Sequence, residues 1–227
     1  MSAMKYFFIL FFFLCSLFSY GQLIRVGEGY SQTSVNTAVF RNASLVTDGG
    51  TQYVAFYDPD GYVVLGKRSL DDSEWTLERS PYQGHVADAH NVISMMVDGD
   101  GYVHVAFDHH GGRLNYCRSV APGSLRLGDK EPMTGVDEDD VTYPEFYRMP
   151  DGGLLFAYRS GASGKGNLVM NRYDLRTRRW ERVQDVLIDG EGQRNAYWQL
   201  FVDGRGVIHV SWVWRETWMV ETNHDLC

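Results

Sequence analysis

Cysteine is scarce in this chain: only 3 of the 227 residues are cysteine, and one of them, Cys15, lies inside an N-terminal apolar run. A framework of several disulfides is therefore excluded, although a single bridge between Cys117 and Cys227 could form in an exported protein. These two cysteines fall on strands of non-adjacent repeats, which are described below. We expect both to be free, mostly buried thiols.

Basic residues are also in deficit, because 21 lysines and arginines face 29 aspartates and glutamates and leave a formal net charge of −8. The chain has no basic stripe of the kind that binds nucleic acid, so we exclude nucleic acid as a partner. A local cluster of arginine and histidine can still dominate a cleft whatever the total charge. The composition is therefore compatible with an acidic polysaccharide as the partner.

Long hydrophobic runs are absent beyond the N-terminus. The one such run, Tyr6–Phe18, follows Lys5 and is too short to span a bilayer comfortably. A small-x-small sequence then ends at Gly21, which is typical of a secretory signal peptide cleaved before the next residue. We predict a signal peptide at residues 1–21 and one domain at residues 22–227.

The signal peptide predicts a secreted or periplasmic protein with no membrane insertion. A lipoprotein attached through Cys15 is the less favoured alternative. Phe13 and Leu14, which precede that cysteine, are bulky where small residues are expected.

Helical periodicity of useful length is missing as well, and a repeat of about fifty residues takes its place. Each repeat has an Asp-Gly turn, a short alternating strand and an aromatic residue at the equivalent position. Those aromatic residues are spaced 51, 51 and 54 residues apart, at Phe56, Phe107, Tyr158 and Trp212. Such regularity indicates one structural unit copied along the chain.

The repeat predicts an all-β fold, a β-propeller whose blades each have four short strands. About four blades fit the sequence. The fourth repeat stops at Glu221–Cys227, where its third strand should begin. A ring that ends inside a blade would leave an unpaired edge. We therefore expect the domain to be incomplete at its C-terminus, and a complete four-bladed ring is the less favoured alternative.

Two histidines flank the hairpin of the second repeat. His90 precedes the inner strand, in DAHN, and His110 follows the next strand, in DHHGG, twenty residues later. A hairpin brings its two ends together, so both imidazoles can lie at one mouth of the channel as an acid–base or anion-binding pair. The simpler alternative is that each histidine only hydrogen-bonds a neighbouring carbonyl at a strand end.

Metal-binding motifs are lacking. His85, Asp88 and Asp108 lie near the two histidines in sequence, but their spacing matches no known zinc pattern. The acidic stretches Asp137–Asp140 and Asp98–Gly101 could hold a structural calcium ion through oxygen ligands. A solvated loop and an ordinary hairpin turn are the favoured interpretations of these stretches. We expect no catalytic metal and no organic cofactor.

The third repeat carries arginines beside an aromatic residue. Tyr158 occupies the aromatic position, Arg159 follows it, and Arg172 lies on the next strand after a connection rich in glycine and serine. That connection includes Lys165 but lacks the spacing of a phosphate-binding loop. Arg172 is expected to be half buried and so to need an anionic partner, either Asp174 or a substrate carboxylate. A core role is an equal alternative for Tyr158.

Several of these stretches resemble a known family. DAHN, VAFDHHGGRLNYCRS, YRSGASGKGN with NRYD, and YWQLFVDGRGVIHVSWVWRET are similar to sequences of the BNR-4-type repeat family of exported bacterial proteins. The resemblance extends from about Gly27 to the end of the chain. That family includes seven-bladed propeller lyases that act on ulvan and related enzymes that act on rhamnosyl-glucuronate linkages.

The resemblance implies an active site. It implies that four residues carry the chemistry: His90, His110, Tyr158 and Arg172. It favours His110 over its neighbour His109, because the family pattern tolerates other residues at that neighbouring position. We expect four further side chains to bind substrate: His109, Arg159, Asn91 and Tyr197.

The activity implied by the resemblance is that of a polysaccharide lyase on an ulvan-like, uronate-containing polysaccharide, acting as a monomer. In such a β-elimination a cation neutralises the uronate carboxylate, and Arg172 is the candidate. A histidine or Tyr158 then moves the protons.

Other functions are compatible with the same residues. A glycoside hydrolase on rhamnosyl-glucuronate linkages would use two carboxylates or one base-activated water. A non-catalytic propeller could bind saccharides by stacking rings such as Tyr197, Trp198 and Trp212 on sugars, although we expect most of these rings to pack between blades. An inactive fragment is the third alternative.

Overall fold

The computed structural model describes residues 23–30 and 43–227. Regular structure in these ranges consists of fifteen β-strands and one short 3-10 helix, Val220–Thr222, so the prediction of an all-β protein is confirmed. No helix in the described ranges is long and apolar enough to cross a membrane. The predicted signal peptide at residues 1–21 lies outside the described residues.

The strands form four antiparallel sheets, and only the first has the four strands predicted for each repeat. The first sheet has four strands in chain order: β1 Leu45–Asp48, β2 Thr51–Tyr57, β3 Tyr62–Ser69 and β4 Thr76–Gln83. The second sheet has three strands: β5 Ile93–Val97, β6 Val103–Phe107 and β8 Tyr116–Arg118.

The third sheet is the largest, with five strands in the order β12–β11–β10–β9–β7. Its strands are β7 His110–Gly112, β9 Val141–Arg148, β10 Leu154–Ala162, β11 Lys165–Asp174 and β12 Arg179–Arg182. The fourth sheet contains β13 Asn195–Val202, β14 Ile208–Arg215 and β15 Asn223–Leu226. Strand β7 comes from the second repeat but pairs with β9, so it ties the second repeat to the third sheet.

The repeated Asp-Gly turns have one local cause. In two of the four repeats the aspartate Oδ1 accepts hydrogen bonds from two backbone N–H groups that follow it in the chain, which closes the hairpin. Asp98 accepts them from Asp100 and Tyr102, at 3.0 and 2.9 Å. Asp203 makes the same pair of bonds, and Asp58 makes it in the other hairpin turn of the first repeat, between β2 and β3. The turns that set the repeat are therefore built from the aspartate side chains themselves.

Apolar cores fill the spaces between consecutive sheets. The first core joins residues of sheets one and two, such as Val63 and Phe107. The second joins sheets two and three, and the third joins sheets three and four around Trp198. Successive side chains of a strand point to opposite faces, so a middle sheet contributes to two cores, and β6 is buried along its whole length. Each sheet is thus held by its neighbours in chain order.

One expectation about the C-terminal repeat is confirmed and one was wrong. A third strand does begin within Glu221–Cys227, where β15 pairs with β14 through Trp214 opposite His224. Cys117 and Cys227 are both free, as predicted, but only Cys117 is buried and Cys227 is exposed.

Candidate active site

The turn after β6 places two histidines in contact. Asp108 (φ 62°) and Gly111 (φ 77°) adopt left-handed backbone conformations on either side of His109 and His110. A Cβ at position 111 would also come within 3.2 Å of a carboxylate oxygen of Asp140, so glycine fits there for two reasons. The chain then enters β7, where His110 lies opposite Thr142 of β9. This pairing fixes the backbone of His110 against the third sheet.

Asp88 holds the imidazoles of both predicted catalytic histidines. Its Oδ1 lies 2.6 Å from Nδ1 of His90, and its Oδ2 lies 2.6 Å from Nδ1 of His110. The two rings stack with their centroids 4.0 Å apart and their planes 20° apart. Burial raises the pKa of Asp88, but hydrogen bonds from His90 and His110 outweigh it and hold the pKa at about 2. An ionised carboxylate only accepts, so both Nδ1 atoms carry hydrogen.

Tyr143 lies beside this pair because of a strained backbone. Its φ is 56°, which is unusual for a bulky residue, and Pro144 follows it. The pairing of β9 with β10 shifts register at this point, between Ala157 and Arg159. The bulge leaves the Tyr143 ring 6.1 Å from the His90 ring, centroid to centroid. Strain of this kind is typical of functional sites.

Two arginines complete the cluster around Tyr197. Arg159 donates to the Tyr197 hydroxyl at 3.4 Å, and its guanidinium lies 5.4 Å from the Tyr143 ring centroid. Arg215, at the end of β14, donates to the same hydroxyl at 2.9 Å and stacks 4.0 Å from the ring centroid. The rings of Tyr143 and Tyr197 are 5.8 Å apart. The cluster therefore continues from the histidines to the two guanidinium groups.

The charge of Arg159 is buried without a matching carboxylate. Only 3% of the residue is exposed, and its contacts are the Gly161 carbonyl, Tyr197 and the Tyr143 ring. Neither Arg159 nor Arg215 forms an ion pair with a carboxylate of residues 23–30 or 43–227. Burial raises the pKa of Tyr197, but hydrogen bonds and the two arginine charges outweigh it and leave the pKa below its usual value. The site is locally cationic despite the acidic chain.

Of the eight predicted site residues, the structure brings together His90, His110, Arg159 and Tyr197. Asn91 lies next to them in sequence but is about nine-tenths buried, and its amide donates to the His85 carbonyl at 3.1 Å. It supports the loop that carries Asp88 and His90.

His109 does not face the cluster, so its prediction as a substrate-binding residue was wrong. It is fully buried, and its Nε2 accepts a hydrogen bond from the backbone N–H of Asn115 at 2.8 Å. Burial lowers the pKa of His109 to about 3. The neutral ring therefore braces the turn that presents His110.

Tyr158 and Arg172 also lie away from the cluster. Tyr158 is fully buried, its hydroxyl contacts Arg182 at 3.3 Å, and burial raises its pKa. Arg172 is exposed and pairs with Asp151 at 2.5 Å. It lies opposite Leu155 on β10, four residues before Arg159 and so about 13 Å away along the strand. The structure does not support a catalytic position for either residue.

Three members of the cluster were not predicted as site residues: Asp88, Tyr143 and Arg215. For two of them the sequence contains a local signal. Asp88 stands two residues before His90, a spacing that suits a side-chain contact with the next turn. Tyr143 precedes a proline inside a strand, which marks a bulge. No local sequence pattern indicates Arg215, because its position in the cluster depends on how the third and fourth sheets pack.

A metal ion could be held by one part of this cluster. Within the described part of the chain, Asp88, His90 and His110 are the group of three metal-binding side chains whose ligand atoms all lie within 4.8 Å of one another. Carboxylate and imidazole together suit a divalent transition metal.

Comparison with known proteins gives relatives that are lyases. The chain is 27% identical over 146 residues to an ulvan lyase of Nonlabens ulvanivorans, covering 55% of this chain and 31% of that protein. It is 32% identical over 137 residues to the long isoform of an ulvan lyase of Alteromonas sp. (strain LOR), covering 42% of this chain and 14% of that protein. The chain thus spans a third or less of these curated relatives.

Solved structures share the fold. The crystal structure of polysaccharide lyase Uly1 matches with a TM-score of 0.65 and 16% identity, over 87% of this chain and 53% of that one. A PL25 ulvan lyase solved with -[GlcA(1-4)Rha3S]- bound matches with a TM-score of 0.63 and 17% identity, over 88% of this chain and 52% of that one. The sequence model described as "BNR repeat-containing family member" matches residues 51–227. The chain therefore belongs to the BNR repeat-containing family.

Proposed function

We propose that this protein is a polysaccharide lyase that cleaves an ulvan-like polysaccharide, at linkages between rhamnose and glucuronate, by β-elimination. The observation that carries the proposal is the buried guanidinium of Arg159, which has no carboxylate partner among the described residues and lies beside a histidine pair. A buried cation needs an anion. A uronate carboxylate would supply that anion and bring the sugar ring next to groups that can move protons.

Charge neutralisation is the first step of the proposed reaction. The proton on C5 of a uronate is poorly acidic until the adjacent carboxylate is neutralised. Arg159, Tyr197 and Arg215 form a cationic, hydrogen-bonding end of the cluster that suits a carboxylate. This assigns to Arg159 the role that the sequence gave to Arg172, whose charge Asp151 already satisfies.

Proton transfer belongs to the other end of the cluster. In the proposed step a neutral imidazole of the His90–His110 pair accepts the C5 proton. The electron pair of the C5–H bond forms the C4=C5 double bond as the bond from C4 to the glycosidic oxygen breaks, and the Tyr143 hydroxyl donates a proton to that oxygen. Asp88 orients both rings and stabilises the imidazolium that forms.

The fold supports a propeller arrangement for this site. We propose that the four sheets are consecutive blades of a ring, which in the whole protein is seven-bladed, with the cluster at one mouth of the central channel. The core between each pair of consecutive sheets and the match to a lyase fold support this arrangement. We further propose that residues 22–227 form one domain of a protein that is secreted or periplasmic and monomeric.

The elimination is tested with the purified chain and ulvan. We expect ultraviolet absorbance from a 4,5-unsaturated uronate to rise with time. Reducing ends that accumulate without this absorbance would indicate the hydrolase. Binding of ulvan without cleavage would indicate a saccharide-binding protein.

A pair of matched variants tests the site. Arg159→Lys keeps the charge but loses the planar fork, and we expect it to lower kcat/KM by about 10²-fold or more. Arg172→Lys changes an exposed ion pair with Asp151, and we expect less than about a twofold effect. The opposite ranking would overturn the assignment of Arg159 and restore the sequence-based role of Arg172.

A further inference from the structure

We propose that Asp88, His90 and His110 form a binding site for a divalent transition-metal ion such as Zn²⁺, and that an ion bound there blocks the proposed elimination. The binding part of this inference is independent of the proposed function, whereas the inhibitory part rests on it. The protein would then be regulated by the concentration of free metal in its surroundings.

The donor set selects the class of ion. Two imidazole nitrogens and one carboxylate oxygen are preferred by Zn²⁺, Ni²⁺, Co²⁺ and Cu²⁺, whereas Ca²⁺ and Mg²⁺ prefer oxygen alone. The group lies at a partly exposed surface, with 38% of the Asp88 side chain, 48% of His90 and 39% of His110 exposed. An ion can therefore reach the site without unfolding the loop.

The distances are close to those of a coordinated ion. The three ligand atoms lie within 4.8 Å of one another, whereas two ligands of one tetrahedral zinc are about 3.4 Å apart. Closing that difference needs rotations of exposed side chains and no change in the strands. The two rings stack 4.0 Å apart, and because each lone pair lies in the plane of its ring, the rings must splay to share one ion.

Asp88 prepares the site electrostatically. Its carboxylate stays ionised and already attracts positive charge at the two Nδ1 atoms. The atoms that face one another are the two Asp88 oxygens and the two Nδ1 atoms, so an ion would take the place of the Nδ1 hydrogens and bind both Nδ1 atoms and the carboxylate. An imidazolium must lose its proton before it binds a metal, so affinity falls as the pH is lowered.

Occupancy by a metal would stop catalysis by a simple exclusion. An imidazole whose Nδ1 binds Zn²⁺ carries its hydrogen on Nε2, so neither ring keeps a lone pair that could accept the C5 proton. Inhibition should therefore follow the binding curve and be reversed by a chelator.

The test is calorimetric titration of the untagged full chain with Zn²⁺ in the absence of polysaccharide. We expect one site per chain, and about tenfold or greater weakening in His110→Gln and in Asp88→Asn. The matched control is His85→Gln, because His85 and Asp108 form a single-histidine pair at 3.2 Å and should leave the affinity unchanged. Ca²⁺ should not bind at this site.

Two results would overturn the inference. One is a wild-type chain that binds no Zn²⁺, and the other is an affinity that His110→Gln and Asp88→Asn leave within twofold of wild type. Both readouts are independent of cleavage, so a chain that binds Zn²⁺ but never cleaves ulvan would refute the lyase and leave the metal site standing. If the chain cleaves ulvan, cleavage that continues unchanged when calorimetry shows the wild-type site to be saturated with Zn²⁺ would refute the inhibitory role.

Discussion

Two carboxylate–histidine networks in this protein use the same chemical groups in opposite surroundings. Asp88 holds His90 and His110 at a partly exposed surface. Asp98 holds His104 in the core, where the His104 side chain is 0% exposed and its Nε2 lies 3.1 Å from the Asp98 carboxylate. One network can exchange protons with a ligand, and the other cannot.

The buried network is fully satisfied by protein groups. Trp180 donates to the Tyr116 hydroxyl at 3.1 Å, and that hydroxyl lies 2.7 Å from Nδ1 of His104. The Asp98 carboxylate can only accept, so His104 Nε2 carries the hydrogen and donates it to Asp98. Nδ1 of the neutral ring then accepts from the Tyr116 hydroxyl, which accepts in turn from Trp180. Burial lowers the pKa of His104 and keeps the ring neutral. Each hydrogen in this network of hydrogen bonds therefore has a single donor and a single acceptor.

In the exposed network not every ring nitrogen has a protein partner. This difference explains why the His104 network is structural and the Asp88 network is the candidate site. Both rings on Asp88 keep Nε2 without a protein partner among the described residues, whereas both nitrogens of His104 are used. A carboxylate beside a histidine is therefore not sufficient evidence of catalysis. The nitrogen on the far side of the ring decides between the two roles.

Removing the histidine from the core network should give the largest effect. His104→Ala leaves the Asp98 carboxylate buried without its partner, and we expect the free energy of unfolding to fall by about 3–5 kcal/mol. His90→Ala, on a half-exposed ring, should change it by less than about 0.5 kcal/mol. Urea unfolding at neutral pH measures both. Equal effects would mean that burial does not separate the networks.

Removing a histidine from the exposed network should act on activity instead. We expect His110→Gln to lower kcat on ulvan by about 10²-fold or more, because glutamine cannot accept the C5 proton. The melting temperature should stay close to that of the wild type. A variant that loses activity only in proportion to lost folded protein would contradict the catalytic role of His110.

The pH dependence of stability should follow the two buried histidines, His104 and His109. Below about pH 6.5 the unfolded chain protonates both, whereas the folded chain keeps both neutral, so stability falls as the pH drops below that value. The lowered pKa values of Asp98 and Asp88 add a further loss below about pH 4. Urea titrations between about pH 7 and about pH 5 measure the first loss. His104→Gln should make the curve less steep in that range, and the slope that remains should come from His109.

The smallest effect should come from the tyrosine that the sequence placed in the site. Tyr158→Phe removes a buried hydroxyl that contacts Arg182, and we expect a loss of about 1 kcal/mol of stability with kcat unchanged. Tyr197→Phe is the matched variant, because the Tyr197 hydroxyl accepts hydrogen bonds from Arg159 and Arg215. We expect it to raise KM or lower kcat with little effect on stability. A reversed pattern would return Tyr158 to the site.

The sequence predicted the sheets and the histidine pair but missed half of the cluster, for physical reasons. Asp-Gly turns and alternating strands depend on residues that are neighbours in the chain, so the sequence could predict the repeat. His90 and His110 flank one hairpin, so their proximity could also be predicted. The choice of Arg159 over Arg172 depends on which end of the β10–β11 hairpin meets the cluster, since the two arginines share one face of that hairpin. The bulge at Tyr143 lies opposite the Arg159 end, and a periodicity argument does not contain the bulge.

The exchange of β7 between repeats has a consequence for how activity appears during folding. His110 belongs in sequence to the second repeat, yet its backbone is fixed by pairing with β9 of the third sheet. Neither repeat alone can assemble the histidine pair beside Tyr143 and Arg159. Activity should therefore appear only after the second and third sheets have packed together, so its recovery during refolding would report the docking of these two sheets.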